Sequence, residues 1–169
     1  MGKLMLSTLM LLLSISTFAQ ESFKDFEVPK DYKFEVKEDY APYEKDIMKA
    51  HEWLLNTPLN KEKAKRKEVS KFVMKWIMGS PNVMIELRQD IVTFMDSPDL
   101  LLIFMSAWTN YALENRDFKN KFNGNLAGIE AVIEFYQKNK STIGNNKDVK
   151  KYIKLQKKGR LSDFIAAKL

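Results

Sequence analysis

The sequence predicts an all-α protein, a bundle of five or six helices with an extended arm at its N-terminus. Apolar residues recur at the three- and four-residue spacing of a helix face in several separate segments. Proline, glycine and capping residues stand at the ends of these segments, as they do at natural helix ends. The composition, with 45% hydrophobic and 30% charged residues, is that of an ordinary soluble domain. Since the chain has no cysteine, its core rather than disulfides must stabilise it.

The first 19 residues have the pattern of a signal peptide. Lys3 supplies the positive charge, residues 4–15 are mostly apolar, and Thr17 and Ala19 place small residues at a cleavage site. This apolar run of about a dozen residues is shorter than the ~20 that span a bilayer, and no later run is longer. We therefore expect cleavage near Ala19, a periplasmic or secreted location, and a mature protein that does not span a membrane.

Residues 20–42 predict an extended arm ahead of a single helical domain at residues 43–169. Residues 33–37 alternate between charged and apolar side chains with the period of a strand, and Pro29 and Pro42 interrupt the arm. So many large apolar side chains in a short stretch should leave water, so we expect the arm to dock on the helical body or on a partner. They are Phe23, Phe26, Val28, Tyr32, Phe34, Val36 and Tyr40.

Two helices are predicted after the arm. The first ends at Thr57-Pro58. The second takes Asn60 as its N-cap and ends at Gly79-Ser80-Pro81, in the usual order of glycine and then proline. The predicted buried faces are Ile47, Ala50, His51 and Leu54 in the first helix and Val69, Phe72, Val73, Trp76 and Ile77 in the second.

Residues 82–95 are ambiguous. Residues 82–87 alternate like a short strand, whereas Ile91, Val92 and Met95 have the spacing of a helical turn. The sequence leaves both readings open. The next segment is clearer, because Ser97-Pro98-Asp99 provides a capping hydroxyl, a proline for the first helical position and an acid for the positive helix end. The helix that it begins is apolar nearly all round, which predicts the central helix of the bundle.

The remaining third of the chain predicts further helices. Asn123-Gly124-Asn125 is expected to break the chain, with Asn125 capping the next helix. Residues 141–146 read as a loop, Gly159 as a helix end and Ser162 as the cap of a last short helix.

No catalytic motif is recognisable. His51 is the single histidine, lacks the second histidine of a zinc-protease helix, and is expected to be a core or boundary residue. Nucleophile elbows and phosphate-binding loops are absent from the sequence. Glu130 and Glu134 share a helix face, as Glu86 and Asp90 would in a helix, but solvated surface acids are the commoner explanation. We therefore assign no catalytic residue, metal site or cofactor.

Two sets of residues are candidate binding sites. Lysines recur at helical spacing and define a candidate anion-binding face, for which ordinary solvated helix faces are the alternative. Aromatic residues on several helices define a candidate ligand pocket, for which a simple core is the alternative. The lysines are Lys63, Lys67, Lys71, Lys75, Lys150, Lys151 and Lys154, and the aromatic residues are Trp76, Trp108, Tyr111 and Tyr136.

The charge is divided unevenly along the chain. Residues 20–57 carry ten acids and six bases, whereas residues 58–169 carry twelve acids and twenty-one bases. The acidic segment could lie across the basic body and partly neutralise it, or a basic face could stay free for an anionic surface. Nucleic acid is not expected as a partner, because lysine dominates over arginine, no aromatic platform is interleaved, and the protein is expected to be exported.

Several short motifs together resemble a family of exported bacterial helical proteins of unknown function. The resemblance covers nearly all of the chain after the signal peptide, up to residues 158–161, and it implies an exported helical fold without supplying an activity. The motifs are Ala41-Pro42-Tyr43, Trp53-Leu54, Thr57-Pro58, Lys75-Trp76-Ile77, Ser80-Pro81-Asn82-Val83, the run from Trp108 to Glu114, and the run from Gly124 to Ile129.

Three functions follow in order of preference. The first is a non-enzymatic interaction module that binds another envelope or secreted protein through the arm or a basic face. The second is a carrier that holds a small apolar or anionic ligand between helices. The third is a hydrolase of envelope polymers that uses Glu130 and Glu134.

Overall fold

The fold is an all-α bundle, as predicted. The computed structural model describes residues 26–169, and this part of the chain contains six α-helices and no strand. The predicted signal peptide, residues 1–19, and the first residues of the arm, 20–25, lie outside the described residues. None of the described helices is long and apolar enough to cross a membrane. The helices are Glu44–Asn56 (α1), Lys63–Gly79 (α2), Pro98–Asn115 (α3), Lys121–Ile143 (α4), Lys147–Lys157 (α5) and Leu161–Ala166 (α6).

Helix α3 is the centre of the bundle. It begins after Ser97 with Pro98 in its first turn, at the predicted position. The predicted cap is wrong, because the Ser97 hydroxyl makes no capping hydrogen bond. It packs against α1, α2 and α4, while α5 and α6 pack against α4 and against each other. Buried side chains lie on every side of α3, because it has neighbours in three directions and its sequence is apolar nearly all round.

Helix α4 continues through Asn123-Gly124-Asn125, where the sequence predicted a break. The helix begins two residues earlier, and the side chain of Asn120 caps it by accepting a hydrogen bond from the backbone N–H of Asn123 at 2.9 Å. A Cβ on Gly124 would overlap the indole of Trp108, so this glycine allows α3 and α4 to approach closely. Asn125 is fully buried inside the helix, where its side chain donates to the carbonyl of Lys121 at 2.8 Å. The predicted break is therefore wrong, because packing rather than turn formation explains the glycine.

Two other predicted caps are also displaced. Helix α2 begins after Glu62, which has a left-handed backbone with φ of 44°, and not after Asn60. Helix α6 begins after Arg160, so that Ser162 lies within its first turn instead of capping it.

Residues 80–97 form neither a strand nor a helix. The strand-like alternation at residues 82–87 finds no partner strand among the described residues, and a lone strand leaves its backbone groups unpaired. The segment instead follows the surface of the bundle and inserts single side chains into the core. Val83, Ile91, Val92 and Phe94 are buried in this way.

The described part of the arm docks on α2. Residues 26–36 are irregular and extended, and two short 3₁₀ turns, Lys37–Asp39 and Ala41–Tyr43, lead into α1. The aromatic rings of the arm surround Phe72, with Tyr32 and Phe34 at centroid distances of 5.0 and 5.8 Å. Beside them, the indole N–H of Trp76 donates to the carbonyl of Tyr40 at 3.0 Å. The arm is therefore part of the core, and its described aromatic side chains contact the body of the same chain.

Candidate functional site

A cleft of about 470 Å³ lies between α3 and α4. Alanine side chains on the two helices line it, and their small size leaves the space open. Helix α1 contributes His51 and α5 contributes Gln156, so four helices contribute to the site. The other lining residues are Ala107, Asn110, Tyr111 and Glu114 on α3 and Ala127, Glu130, Ala131, Ile133, Glu134 and Gln137 on α4.

Three carboxylates line the cleft, and one of them, that of Glu134, is paired with Nζ of Lys138 at 2.6 Å. Glu114 lies on α3, and Glu130 and Glu134 lie one turn apart on α4. Partial burial raises the pKa of Glu130 above its ordinary value. The pKa of nearby Glu52 is raised chiefly by burial and further by the charges of Glu114 and Glu134. The chain as a whole has a net charge of +6, so the cleft runs against the overall charge.

His51 lies at the inner side of this cleft and is only 4% exposed. Its Nδ1 lies 3.0 Å from Oγ of Ser106, and that hydroxyl donates its own proton to the carbonyl of Ile103 at 3.0 Å. Since the Ser106 proton is used, Oγ accepts from His51, which places the imidazole proton on Nδ1. Burial lowers the pKa of His51 to about 4, so the ring is neutral near pH 7 and its Nε2 carries a lone pair.

The remaining polar groups of α3 in the cleft are an amide and a phenol. The side-chain oxygen of Asn110 is buried and has no hydrogen-bond partner in the described part of the chain. The hydroxyl of Tyr111 lies 3.0 Å from a carboxylate oxygen of Asp117, to which it donates, and accepts from the side chain of Asn123 at 2.7 Å. Tyr111 therefore offers the cleft mainly its ring, because its hydroxyl is already paired.

The four predicted pocket aromatics lie in different environments. Trp76 is buried beneath the arm and Trp108 against Gly124. Tyr136 is buried too, with its hydroxyl donating to the carbonyl of Gly144 at 3.0 Å. Of the four, Tyr111 lines the cleft.

The predicted lysines form two separate surfaces, because α2 and α5 do not touch. On α2 all four are exposed, and we call Lys63, Lys67, Lys71, Lys75 and Met78 the α2 outer face. On α5, Lys151 lies 4.8 Å from the ring centroid of Phe164, and Lys150 contacts the side chain of Asn145.

A second cavity of about 480 Å³ lies beside the start of α2 and contains Arg66 and Asp99. Arg66 is buried and donates to the carbonyls of Leu54 and Thr57, which are orphan acceptors at the end of α1. Its guanidinium also lies 5.5 Å from the ring centroid of Trp53. This arginine therefore closes the α1–α2 connection, which is a structural task.

Sequence reasoning identified Glu130 and Glu134 as a pair but missed Glu114 and the cleft itself. The available signal was the spacing of small and polar residues on two helices: Ala107, Asn110 and Glu114 on one, and Ala127, Ala131 and Glu134 on the other. On each helix alone, that pattern is typical of a solvated face. It indicates a cleft only once the packing of the two helices against each other is known.

Comparison of the chain with protein-family models, with curated proteins and with solved structures found no match in any of the three.

Proposed function

We propose that this is an exported, non-enzymatic interaction protein that binds an acidic envelope or secreted protein through the α2 outer face. The observation that carries the proposal is a row of exposed lysines without carboxylate partners. Lys63, Lys67 and Lys71 form no ion pair with any residue in the described range 26–169. At 1.5 Å per residue, the row from Lys63 to Lys75 is about 18 Å long.

The position of the row on the helix supports a recognition role. With about 100° between successive residues, Lys67 and Lys71 point away from the buried face that contains Phe72 and Trp76. The lysines are therefore presented outward on a helix that is fixed by its core contacts. An acidic partner would gain charge complementarity and a faster association rate from such a surface.

An exposed methionine favours a protein partner. Met78 is 79% exposed, and helical spacing places it between the directions of Lys67 and Lys71. Met84, in the segment after α2, is 82% exposed. Methionine is enriched at protein interfaces, where its flexible side chain adapts to irregular surfaces. Lysine is usually depleted there, so a surface that presents both residue types fits a partner that is acidic and also offers an apolar contact.

Export is supported by the signal-peptide pattern of residues 1–19 and by the resemblance to a family of exported bacterial helical proteins. The described aromatic side chains of the arm pack against the body of the protein, chiefly α2. The α2 outer face is therefore more accessible to a partner than the arm.

The test is a pull-down from envelope and medium fractions with tagged protein expressed with its own N-terminal segment. We expect one near-stoichiometric acidic protein that is retained by the wild type and lost with the double change Lys67→Glu and Lys71→Glu. The matched control, Lys150→Glu with Lys154→Glu, makes the same charge change on α5 and should retain the partner. Equal binding by both variants would contradict the proposal, and recovery of lipid or polysaccharide without protein would replace it with an anionic surface.

The hydrolase alternative has one observation in its favour: Glu130 and Glu134 both line the cleft, and burial raises the pKa of Glu130 as a general acid requires. Hydrolysis of an envelope polymer that is abolished by Glu130→Gln, with the fold intact, would support it. Unchanged turnover in that variant would remove it.

A further inference from the structure

The C-terminal segment, residues 147–169, carries the whole net charge of the protein. It contains eight basic and two acidic residues, whereas residues 1–146 contain twenty of each. The segment consists of α5, α6 and the few residues that join and follow them, and the two helices pack against each other. The net charge of +6 is therefore concentrated in one small part of the molecule.

The lysines of α5 and of its C-terminal cap lie on one side of the helix. With about 100° between successive residues, they fall within an arc of about 120°, opposite the buried side chains of Val149 and Tyr152. All of them are exposed, and none forms an ion pair with a residue in the range 26–169. We call this set the α5 lysine face, and its members are Lys147, Lys150, Lys151, Lys154, Lys157 and Lys158.

The α5 lysine face presents charge without an apolar contact. None of the exposed large apolar side chains in the described part of the chain lies between residues 147 and 158. A neighbouring ring, that of Phe164, is half-buried, and its centroid lies 4.8 and 5.1 Å from Nζ of Lys151 and Lys168. The α2 outer face differs, because it includes the exposed Met78.

A face of this kind suits an anionic lipid surface better than a protein. Protein interfaces are depleted in lysine and have an apolar centre. A bilayer that contains anionic lipids attracts clustered lysines through charge alone, and each lysine near the surface adds to the attraction. Nucleic acid fits less well, since single strands stack on aromatic side chains and the α5 lysine face has none.

We propose that the α5 lysine face docks on the surface of an anionic lipid bilayer. The lysine ammonium groups bind the lipid phosphates, and neither α5 nor α6 is inserted into the hydrocarbon. Val149 and Tyr152 fix α5 to the body of the protein, so the lysines are presented together along a row of about 16 Å. The attraction is electrostatic, and salt should therefore release the protein.

This inference does not rest on the proposed function. Helices α2 and α5 do not touch, and the two faces use different lysines. A failure to bind vesicles would leave the proposed protein partner of α2 untouched. The absence of a protein partner would in turn leave the vesicle result unaffected.

Vesicle sedimentation with the untagged protein, expressed with its own N-terminal segment, tests the proposal. The probe is a vesicle of phosphatidylcholine with about 30% phosphatidylglycerol, which is anionic, and the reference is pure phosphatidylcholine. We expect the protein to sediment with the anionic vesicles at about 0.05 M salt and to leave them at about 0.5 M. Binding to pure phosphatidylcholine should be much weaker.

Two triple variants with the same change of charge locate the binding face. The α5 variant should bind the anionic vesicles about a hundredfold more weakly than the wild type, since three lysines are lost from the surface. The matched α2 variant should bind within about threefold of the wild type. Glutamine is nearly as good a helix former as lysine and every changed side chain is exposed, so both variants should fold. The substitutions are Lys147→Gln, Lys154→Gln and Lys158→Gln on α5 and, in the control, Lys63→Gln, Lys67→Gln and Lys71→Gln on α2.

Three results would overturn the proposal. The first is a wild type that does not sediment with the anionic vesicles, or an α5 variant that binds them as tightly as the wild type does. The second is an equal loss in both variants, because total charge would then govern binding. The third is binding to dextran sulfate without binding to the vesicles, which would replace the bilayer with a soluble anionic polymer. A loss confined to the α5 variant, together with release by salt, would support the proposal.

Discussion

Acidification should destabilise this protein through His51 at a pH above the range in which most carboxylates titrate. Burial lowers the pKa of the ring from 6.5 to about 4 in the folded state. The unfolded chain therefore binds a proton at a pH where the folded protein does not. The stability that depends on the neutral ring is fully present above pH 6.5, falls as the pH drops below it, and is lost once the pH passes below about 4.

The size of the effect follows from the shift. A difference of about 2.5 pH units, at 1.36 kcal/mol per unit, corresponds to about 3 kcal/mol. The cause of this shift is the burial of the ring, which disfavours its charged form. The raised pKa values of Glu52 and Glu130 act in the other direction on stability, since these groups bind protons more readily when folded.

The assay is urea unfolding of the wild type and of His51→Gln between pH 7.5 and pH 4.5. The difference in unfolding free energy between the two proteins should narrow as the pH falls, by about 2–3 kcal/mol over this range. The carboxylates are common to both proteins and cancel in that difference. An imidazole pKa near 6.5 in the folded wild type, measured by NMR, would refute the reasoning directly, whether or not the variant folds.

Three further changes test the packing. Gly124→Ala should destabilise the protein by about 1–3 kcal/mol, because the added methyl overlaps the indole of Trp108; thermal unfolding measures this. Trp76→Phe should cost about 2–4 kcal/mol in urea unfolding, since it removes side-chain volume and leaves the carbonyl of Tyr40 without its indole donor. Asn146→Ala should cost about 1 kcal/mol in the same assay, because its side chain caps α5.

Each change has its own control. The double variant Gly124→Ala with Trp108→Phe should lose less unfolding free energy than the sum of the losses of the two single variants. Strict additivity would show that the added methyl is accommodated by a movement that does not involve the side chain at position 108. Trp108→Phe alone also serves as the control for Trp76→Phe, because no described residue accepts a hydrogen bond from the indole of Trp108. If both variants lost the same unfolding free energy, the effect at Trp76 would come from lost side-chain volume and not from the lost hydrogen bond. Asn145→Ala should be nearly neutral, and a loss equal to that of Asn146→Ala would argue against capping.

Local spacing was sufficient to predict most of the helices. The apolar positions of α2 recur along one face, and α3 has a proline in its first turn, directly after Ser97, so each could be placed from its own residues. The all-α class followed from such signals. They fail where the deciding contact comes from a distant part of the chain, as at Gly124, whose partner Trp108 belongs to another helix.

The candidate site could be predicted only in fragments. Glu130 and Glu134 were visible as a pair on one face, and His51 was expected to be buried. That they line one cleft with Glu114 depends on how α3 and α4 pack, which no local pattern encodes. The proton position on His51 depends in turn on a serine 55 positions further along the chain.

The arm also bears on where the chain can be shortened. Phe34 stacks on Tyr40 and packs against Phe72 and Tyr43. The indole of Trp76 donates a hydrogen bond to the backbone of the arm, so the arm and α2 form one hydrophobic core. A protein that started at Glu44 would expose the aromatic side of α2 to water and leave an indole donor without its carbonyl. Such a truncation would behave as an aggregation-prone fragment instead of a minimal domain, and any tag or fusion is better joined ahead of Phe26 than within the arm.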